Sequence, residues 1–159
     1  MTDKHTVNFG DICREVKLTS KDPIADGYEY YIGLEHLDSG ALNIKRRGVL
    51  SEDNPSFNRV FRKGDILLGK RRPYLRKAAI ANFSGVCSND IVVLSANKNI
   101  IKEPLVQYVI HSDAFWQWAV KTSAGGLSPR TKFKDLEKFS FIIPNRLSQE
   151  KYHTYVFKV

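Results

Sequence analysis

The sequence predicts an α+β fold: one compact domain on a twisted mixed or antiparallel sheet, with a helical segment at about 103–121 and the start of a C-terminal helix. Three observations point there. The chain has 159 residues, the size of a single domain, enough to bury roughly two-thirds of the surface its unfolded form exposes. Aromatic and β-branched runs fill residues 28–95, whereas helical spacing appears only after residue 103, and elements that do not alternate regularly argue against a doubly wound sheet. No internal repeat, low-complexity stretch or Pro/Gly/Ser linker divides the chain, so residues 1–147 are expected to form the domain and 148–159 to begin the terminal helix.

Tyr28 to Leu34 (YEYYIGL) reads as a strand from its aromatic and β-branched content. Asp38-Ser39-Gly40 supplies turn chemistry, and Leu42 to Arg47 a short return strand. Residues 51–58 (SEDNPSFN) are a loop, since Pro55 and the Asn/Ser content deny regular pairing. Asp65 to Leu68 follows a Lys63-Gly64 turn as a short buried strand. Ala78 to Phe83 and Val86 to Ser95 are two further strands joined tightly at Ser84-Gly85, and the apolar run Ile91 to Leu94 asks for cover on both faces. Pro104 suits a first helical turn, with Leu105, Tyr108 and Val109 at 3–4 spacing. Ser112 is an N-cap for a second helical segment with Phe115, Trp116 and Ala119 on one face, ended by Gly125-Gly126. A turn near Asp135-Leu136-Glu137 leads to a strand from Phe139 to Ile143 closed by Pro144, and Ser148 caps the last helix.

Composition excludes several function classes. Apolar residues make up 42% and charged residues 26%, ordinary for a globular domain and far from disorder. No run approaches the roughly 20 apolar residues of a membrane span, and the N-terminus lacks the apolar core of a signal peptide. Cys13 and Cys87 are too few for a disulfide framework and form no CxxC pair, so a cytoplasmic location with reduced thiols is expected. The net charge is +8, and its placement matters more than its size. Residues 1–60 are net −2 and 81–120 net −1, whereas 61–80 carry +6 and 121–159 carry +5. Two segments hold the positive field, the footprint of a polyanion binder.

Catalytic signatures fail on inspection. Gly64 to Lys70 satisfies GxxxxGK, but Arg71 stands where a hydroxyl should ligate magnesium, and Ile66-Leu67-Leu68 is a strand rather than a Gly-rich cradle. Asn54-Pro55-Ser56-Phe57 resembles the target-amine element of amino-methyltransferases, yet it lies among polar residues and no FxGxG signature accompanies it. Glu15-Val16-Lys17 has the ExK form of many nucleases, but the partner acid, Asp11, is only four residues away. His5, His36, His111 and His153 are too dispersed for a local metal motif, and GxSxG is absent. No catalytic residue, metal site or cofactor is read from the chain.

The informative stretch is Phe61 to Lys77, FRKGDILLGKRRPYLRK. A short buried strand delivers a basic turn, in which Pro73 fixes its own φ and biases Arg72 toward extended conformations. Tyr74 and Leu75 are expected to pin the turn to the core while Lys70, Arg71, Arg72, Arg76 and Lys77 face outward. Cations held rigidly dock on phosphates at lower entropic cost.

This stretch resembles the target recognition domain of type I restriction–modification specificity subunits. In that family a GD-hydrophobic-hydrophobic-x-K-x-RPY-L-x-K strand and turn is followed by G-[IV]-C-S and an apolar strand. Gly85-Val86-Cys87-Ser88 and Ile91-Val92-Val93-Leu94 stand at that spacing here. Ser112-Asp113-Ala114-Phe115-Trp116 matches the family's S-D-x-F-W helix, and Ser123 to Arg130 its Gly-containing basic loop. Lys134-Asp135-Leu136 and Ile142-Ile143-Pro144 match the closing turn and exit. The resemblance covers about residues 7–150. Asn145-Arg146 departs from the family's proline-rich exit, residues 10–60 match only in general character, and full-length family members carry two such domains where this chain has one.

The resemblance implies a sequence-specific double-stranded DNA-binding module, reading one half of a bipartite target and performing no chemistry. It implies as partners the methyltransferase (modification) subunit and, through it, the restriction subunit. Self-association through the C-terminal helix is a further arrangement it admits. Lys70, Arg71, Arg72, Arg76 and Lys77 are then phosphate contacts, with Arg130, Lys132 and Lys134 as a second clamp. Base readout is assigned to Lys45, Arg46, Arg47, Asn54, Asn58 and Arg59, which fill the stretch without family motif and carry the donors suited to guanine or adenine. The alternative is an interaction or decoy protein that engages the methyltransferase subunit without DNA readout.

Overall fold

The computed structural model describes residues 4–144. The expected terminal helix at 148–159 and the Asn145-Arg146 departure lie outside those residues. The elements run in the order β1 (Lys4–Asn8), α1 (Phe9–Ile12), β2 (Cys13–Glu15), β3 (Tyr30–Ile32), β4 (Gly48–Val49), α2 (Leu50–Asp53), β5 (Arg59–Phe61), β6 (Ile66–Gly69), β7 (Ala78–Ile80), β8 (Gly85–Cys87), β9 (Ile91–Ala96), α3 (Glu103–Ile110), α4 (Asp113–Thr122), α5 (Phe133–Leu136) and β10 (Ser140–Pro144). Single 3₁₀ turns occupy Leu34–His36 and Pro73–Leu75. The α+β class is as the sequence predicts, but the expected single sheet is three.

The central sheet, in the order β2-β9-β6-β7, is antiparallel throughout. Side chains alternate across a strand, and both faces are covered. Ile66, Leu68, Val92 and Leu94 join the core under α3 and α4. Leu67, Ile91 and Val93 join a second core with Ile32, Phe61 and Cys87. The uninterrupted apolar run of residues 91–94 thus has the two-sided burial its composition asks for. The second sheet, β4-β3-β8-β5, mixes a parallel pair, β3 with β8, among antiparallel ones. At that pair a Cβ added to Gly85 would lie 2.5 Å from the Tyr30 carbonyl oxygen, so the close approach requires glycine. The third sheet is β1 paired antiparallel with β10, from Lys4 opposite Pro144 to Asn8 opposite Ser140.

Three expected strands are redrawn. Val86 to Ser95 is two strands in different sheets, broken at Ser88-Asn89-Asp90, where the Ile91 N–H donates to the Ser88 carbonyl at 3.1 Å and the chain crosses between layers. The return strand at 42–47 falls instead at Gly48–Val49, opposite Tyr30 and Tyr31; residues 42–47 keep only a bridge from Asn43 to Ile80. The strand at Tyr28–Leu34 shortens to β3 because Leu34 enters the 3₁₀ turn. Within the expected loop, residues 50–53 close one helical turn ended by Asn54 in the left-handed region at φ 46°. The helices follow their signals: the Ser112 hydroxyl accepts the Phe115 N–H at 3.3 Å, and Phe115, Trp116 and Ala119 are buried together.

Candidate nucleic-acid interface

The basic turn begins where buried β6 ends. Leu67 and Leu68 are fully buried, so Lys70 emerges at a fixed point, its N–H donating to the Asp90 carbonyl at 2.8 Å. The turn then meets the second basic loop edge to edge. Arg71 bridges Arg130, the Arg72 N–H donates to the Pro129 carbonyl at 2.7 Å, and the Thr131 N–H donates to the Lys70 carbonyl at 2.9 Å. Residues 70–72 and 129–131, far apart in sequence, form one basic clasp.

Asp90 makes the clasp electrostatically tolerable. One carboxylate oxygen lies 3.1 Å from the Arg71 guanidinium and the other 3.2 Å from Arg130 Nε. Two cations thus share one anion, leaving the trio at net +1, and both guanidiniums stay nearly half-exposed. Arg71 Nε, Ser128 Oγ and Thr131 Oγ1 are buried and make no hydrogen bond to protein atoms among the described residues. Asp90 was missed by sequence reasoning. Nothing local links it to Arg130, 40 residues away.

The other assigned cations divide in two. Arg76 is ion-paired with Asp113 in the first turn of α4, and Lys77 Nζ donates to the Leu34 carbonyl at 3.0 Å. Lys70, Arg72, Lys132 and Lys134 carry no ion pair among the described residues. Two details of the turn are corrected. Arg72 is left-handed at φ 52°, ψ 65° rather than extended; its bond to Pro129 and the Leu75 N–H on its own carbonyl hold it there against the preference of a residue before proline. Tyr74 is 53% and Leu75 37% exposed, and Pro73 is the residue buried to anchor the turn.

The six base-readout candidates are not brought together. The loop 34–47 docks on the C-terminal end of the basic turn through the Gly40 N–H to the Arg76 carbonyl, 3.0 Å, and through Lys77. It carries exposed Lys45; Arg46, which is paired with Asp38 at 2.8 Å; and Arg47, whose guanidinium stacks 3.7 Å over the Tyr30 ring. Asn54 terminates α2, and Asn58 is exposed, its carbonyl accepting the Ser20 N–H. Arg59 lies within β5 opposite Cys87, its Nε and Nη1 buried without a protein hydrogen-bond partner among the described residues. These three belong to the second sheet's side of the molecule.

The near-catalytic motifs do other work. Gly64 to Lys70 is a turn and a buried strand. Glu15 pairs with Lys17 at 3.9 Å, and Phe57 packs against Tyr31 with ring centroids 5.6 Å apart. Among the described residues no group of three or more His, Cys, Asp and Glu is placed to hold a metal. Burial pushes the thiols of Cys13 and Cys87 up to about 12, which removes them as nucleophiles. No helix among the described residues is long and apolar enough to cross a membrane.

Fold and clasp define an α+β domain with a cationic clasp at its surface. The family model of the type I restriction modification DNA specificity domain matches residues 1–158, and the chain belongs to that family. It is 27% identical over 125 residues to the type I restriction enzyme EcoDI specificity subunit of Escherichia coli, a match covering 78% of this chain and 28% of that subunit. The fold is shared with the HsdS subunit from Thermoanaerobacter tengcongensis (TM-score 0.79, 21% identity, 98% of this chain and 42% of that one). It is shared also with the type I restriction-modification S subunit from M. genitalium (TM-score 0.60, 13% identity, 98% and 39%). The chain therefore spans well under half the length of each of these relatives.

Proposed function

We propose that this domain binds duplex DNA, reads one half of a bipartite target for a type I restriction–modification enzyme, and carries out no chemistry itself. The observation that supports this reading best is the clasp. Two basic segments distant in sequence are tied by backbone bonds into one cationic surface, and a rigid cation array suits the regular phosphates of a duplex. Lys70, Arg72, Lys132 and Lys134 contact phosphates, and Arg71 and Arg130 do so from positions set by Asp90. Arg76 and Lys77 brace the turn, a narrower role than phosphate contact. Base edges are read from the docked loop by Lys45, Arg46 and Arg47, with Asn54, Asn58 and Arg59 reading from the second sheet's side.

The modification subunit is the protein partner, the restriction subunit joins through it, and the cytoplasm is the compartment. A decoy that avoids DNA has no need for a cationic clasp, which favours DNA readout over that alternative. Titration of fluorescent duplex DNA against salt tests the proposal. Five net charges, from the clasp and the adjoining Lys132 and Lys134, give a log–log slope of about −4.5. A slope shallower than about −1 overturns the DNA-binding reading.

A further inference from the structure

We infer that Leu127 is an apolar wedge that enters the base stack of a duplex held by the clasp. The inference rests on the DNA-binding reading and adds a deforming contact to it. Leu127 is 97% exposed, a value no other large apolar side chain among the described residues approaches. Its loop is nonetheless closed at the base. The Ala124 N–H donates to the Arg130 carbonyl at 3.1 Å and the Arg130 N–H returns the bond at 2.8 Å, while Pro129 is held by Arg72. Gly125 at φ 115° and Gly126 at φ 46° turn the chain just before the leucine. The loop is a short built projection with an apolar apex and fixed ends.

Its surroundings identify the occupant. The base of the loop is Arg130, Arg71 and Arg72, so the apolar tip projects from a cationic base. A duplex presents the complementary pattern, with polyanionic backbones flanking an apolar stack, and leucine is among the side chains that wedge open a base step. A lone tip on a cationic base is a poor match for a protein partner, whose stable interfaces bury roughly 800 Å² on each side.

The test uses the full chain and two mixed-sequence duplexes, one fully paired and one with a single central abasic site. A wedge has less stacking to disrupt at the abasic site. The wild-type chain is expected to prefer that duplex about tenfold, a difference of about 1.4 kcal/mol. Leu127→Ala should reduce the preference to near unity with the salt slope unchanged, and Leu127→Met should retain it. A wild-type chain without the preference, or a preference that survives in Leu127→Ala, overturns the wedge while a steep slope leaves DNA binding standing. A flat salt response in the wild type overturns DNA binding and the wedge together.

Discussion

Replacing Arg72 with alanine tests the clasp at a single side chain. Arg72 is exposed and without an ion pair among the described residues, so its charge is not already neutralised by the protein. Its left-handed backbone is held by main-chain bonds to Pro129 and Leu75, which alanine preserves, and both residues bear the same Cβ cost at φ 52°. Stability should therefore change by no more than about 0.5 kcal/mol. The clasp offers Lys70, Arg72 and one net charge from the Arg71–Asp90–Arg130 trio, and the adjoining Lys132 and Lys134 add two more. Five neutralised phosphates give a slope near about −4.5, or roughly 500-fold weaker binding between 50 and 200 mM salt. Arg72→Ala should bring the slope to about −3.6 and weaken binding by about 1 kcal/mol, equally for every duplex sequence. Fluorescence anisotropy on several duplexes across that salt range measures both quantities. An unchanged slope with loss confined to one sequence would make Arg72 a base reader, and no change in either would move the DNA off the clasp.

Asp90→Asn leaves Arg71 and Arg130 facing each other without their shared anion; because all three side chains are partly exposed, the loss should be about 1 kcal/mol by urea denaturation. The same variant adds one net charge to the clasp and should steepen the salt slope by about 0.9, so unchanged stability and slope would deny the trio its role. Gly85→Ala forces a methyl to 2.5 Å from the Tyr30 carbonyl and should destabilise by about 2 kcal/mol or more; a loss below about 0.5 kcal/mol in the urea midpoint would contradict the tight β3–β8 approach. Cys13 and Cys87, with thiols pushed up to about 12, should resist an aromatic disulfide reagent at pH 8 in the native chain and react once unfolded; fast stoichiometric labelling of the native chain would refute their burial. Burial lowers the His111 pKa, opposed by its bond to the Ala78 backbone, so the folded state favours the neutral ring. That contribution is present above about pH 6.5 and lost as pH falls below it. Urea midpoints at pH 7.5 and 5.5 should diverge less in His111→Gln, and an equal divergence would exclude His111.

What could be read from the sequence was whatever depends on neighbours along the chain. The Ser112 cap, the two-sided strand at 91–94 and the two basic segments are local signals, and the fold honours each. Local chemistry misled where distant groups decide. Arg72 is extended by the rule for a residue before proline, but Pro129 takes its N–H and holds it left-handed. Tyr74 looks like an anchor by its bulk, whereas the neighbouring ring of Pro73 fills that place. β1, β2 and β5 are three to five residues long, and each acquires its identity from a partner: β1 from β10, β2 from β9 and β5 from β8. The meeting of Arg71 and Arg130 on Asp90 has no sequence signature, because closure of the intervening chain, including the 40 residues between Asp90 and Arg130, brings the three together.

The pairing of β1 with β10 has a consequence for how such a unit travels. Antiparallel partners sit about 5 Å apart, so the chain arrives at Lys4 and departs at Pro144 through adjacent positions. Everything between is a closed excursion from one point. A host protein that gives up a single surface bond can accept the whole excursion, or exchange it for another closed by the same seam, without its own framework having to stretch. Portability of this kind is a property of the two-stranded seam, and it is independent of which residues line the clasp.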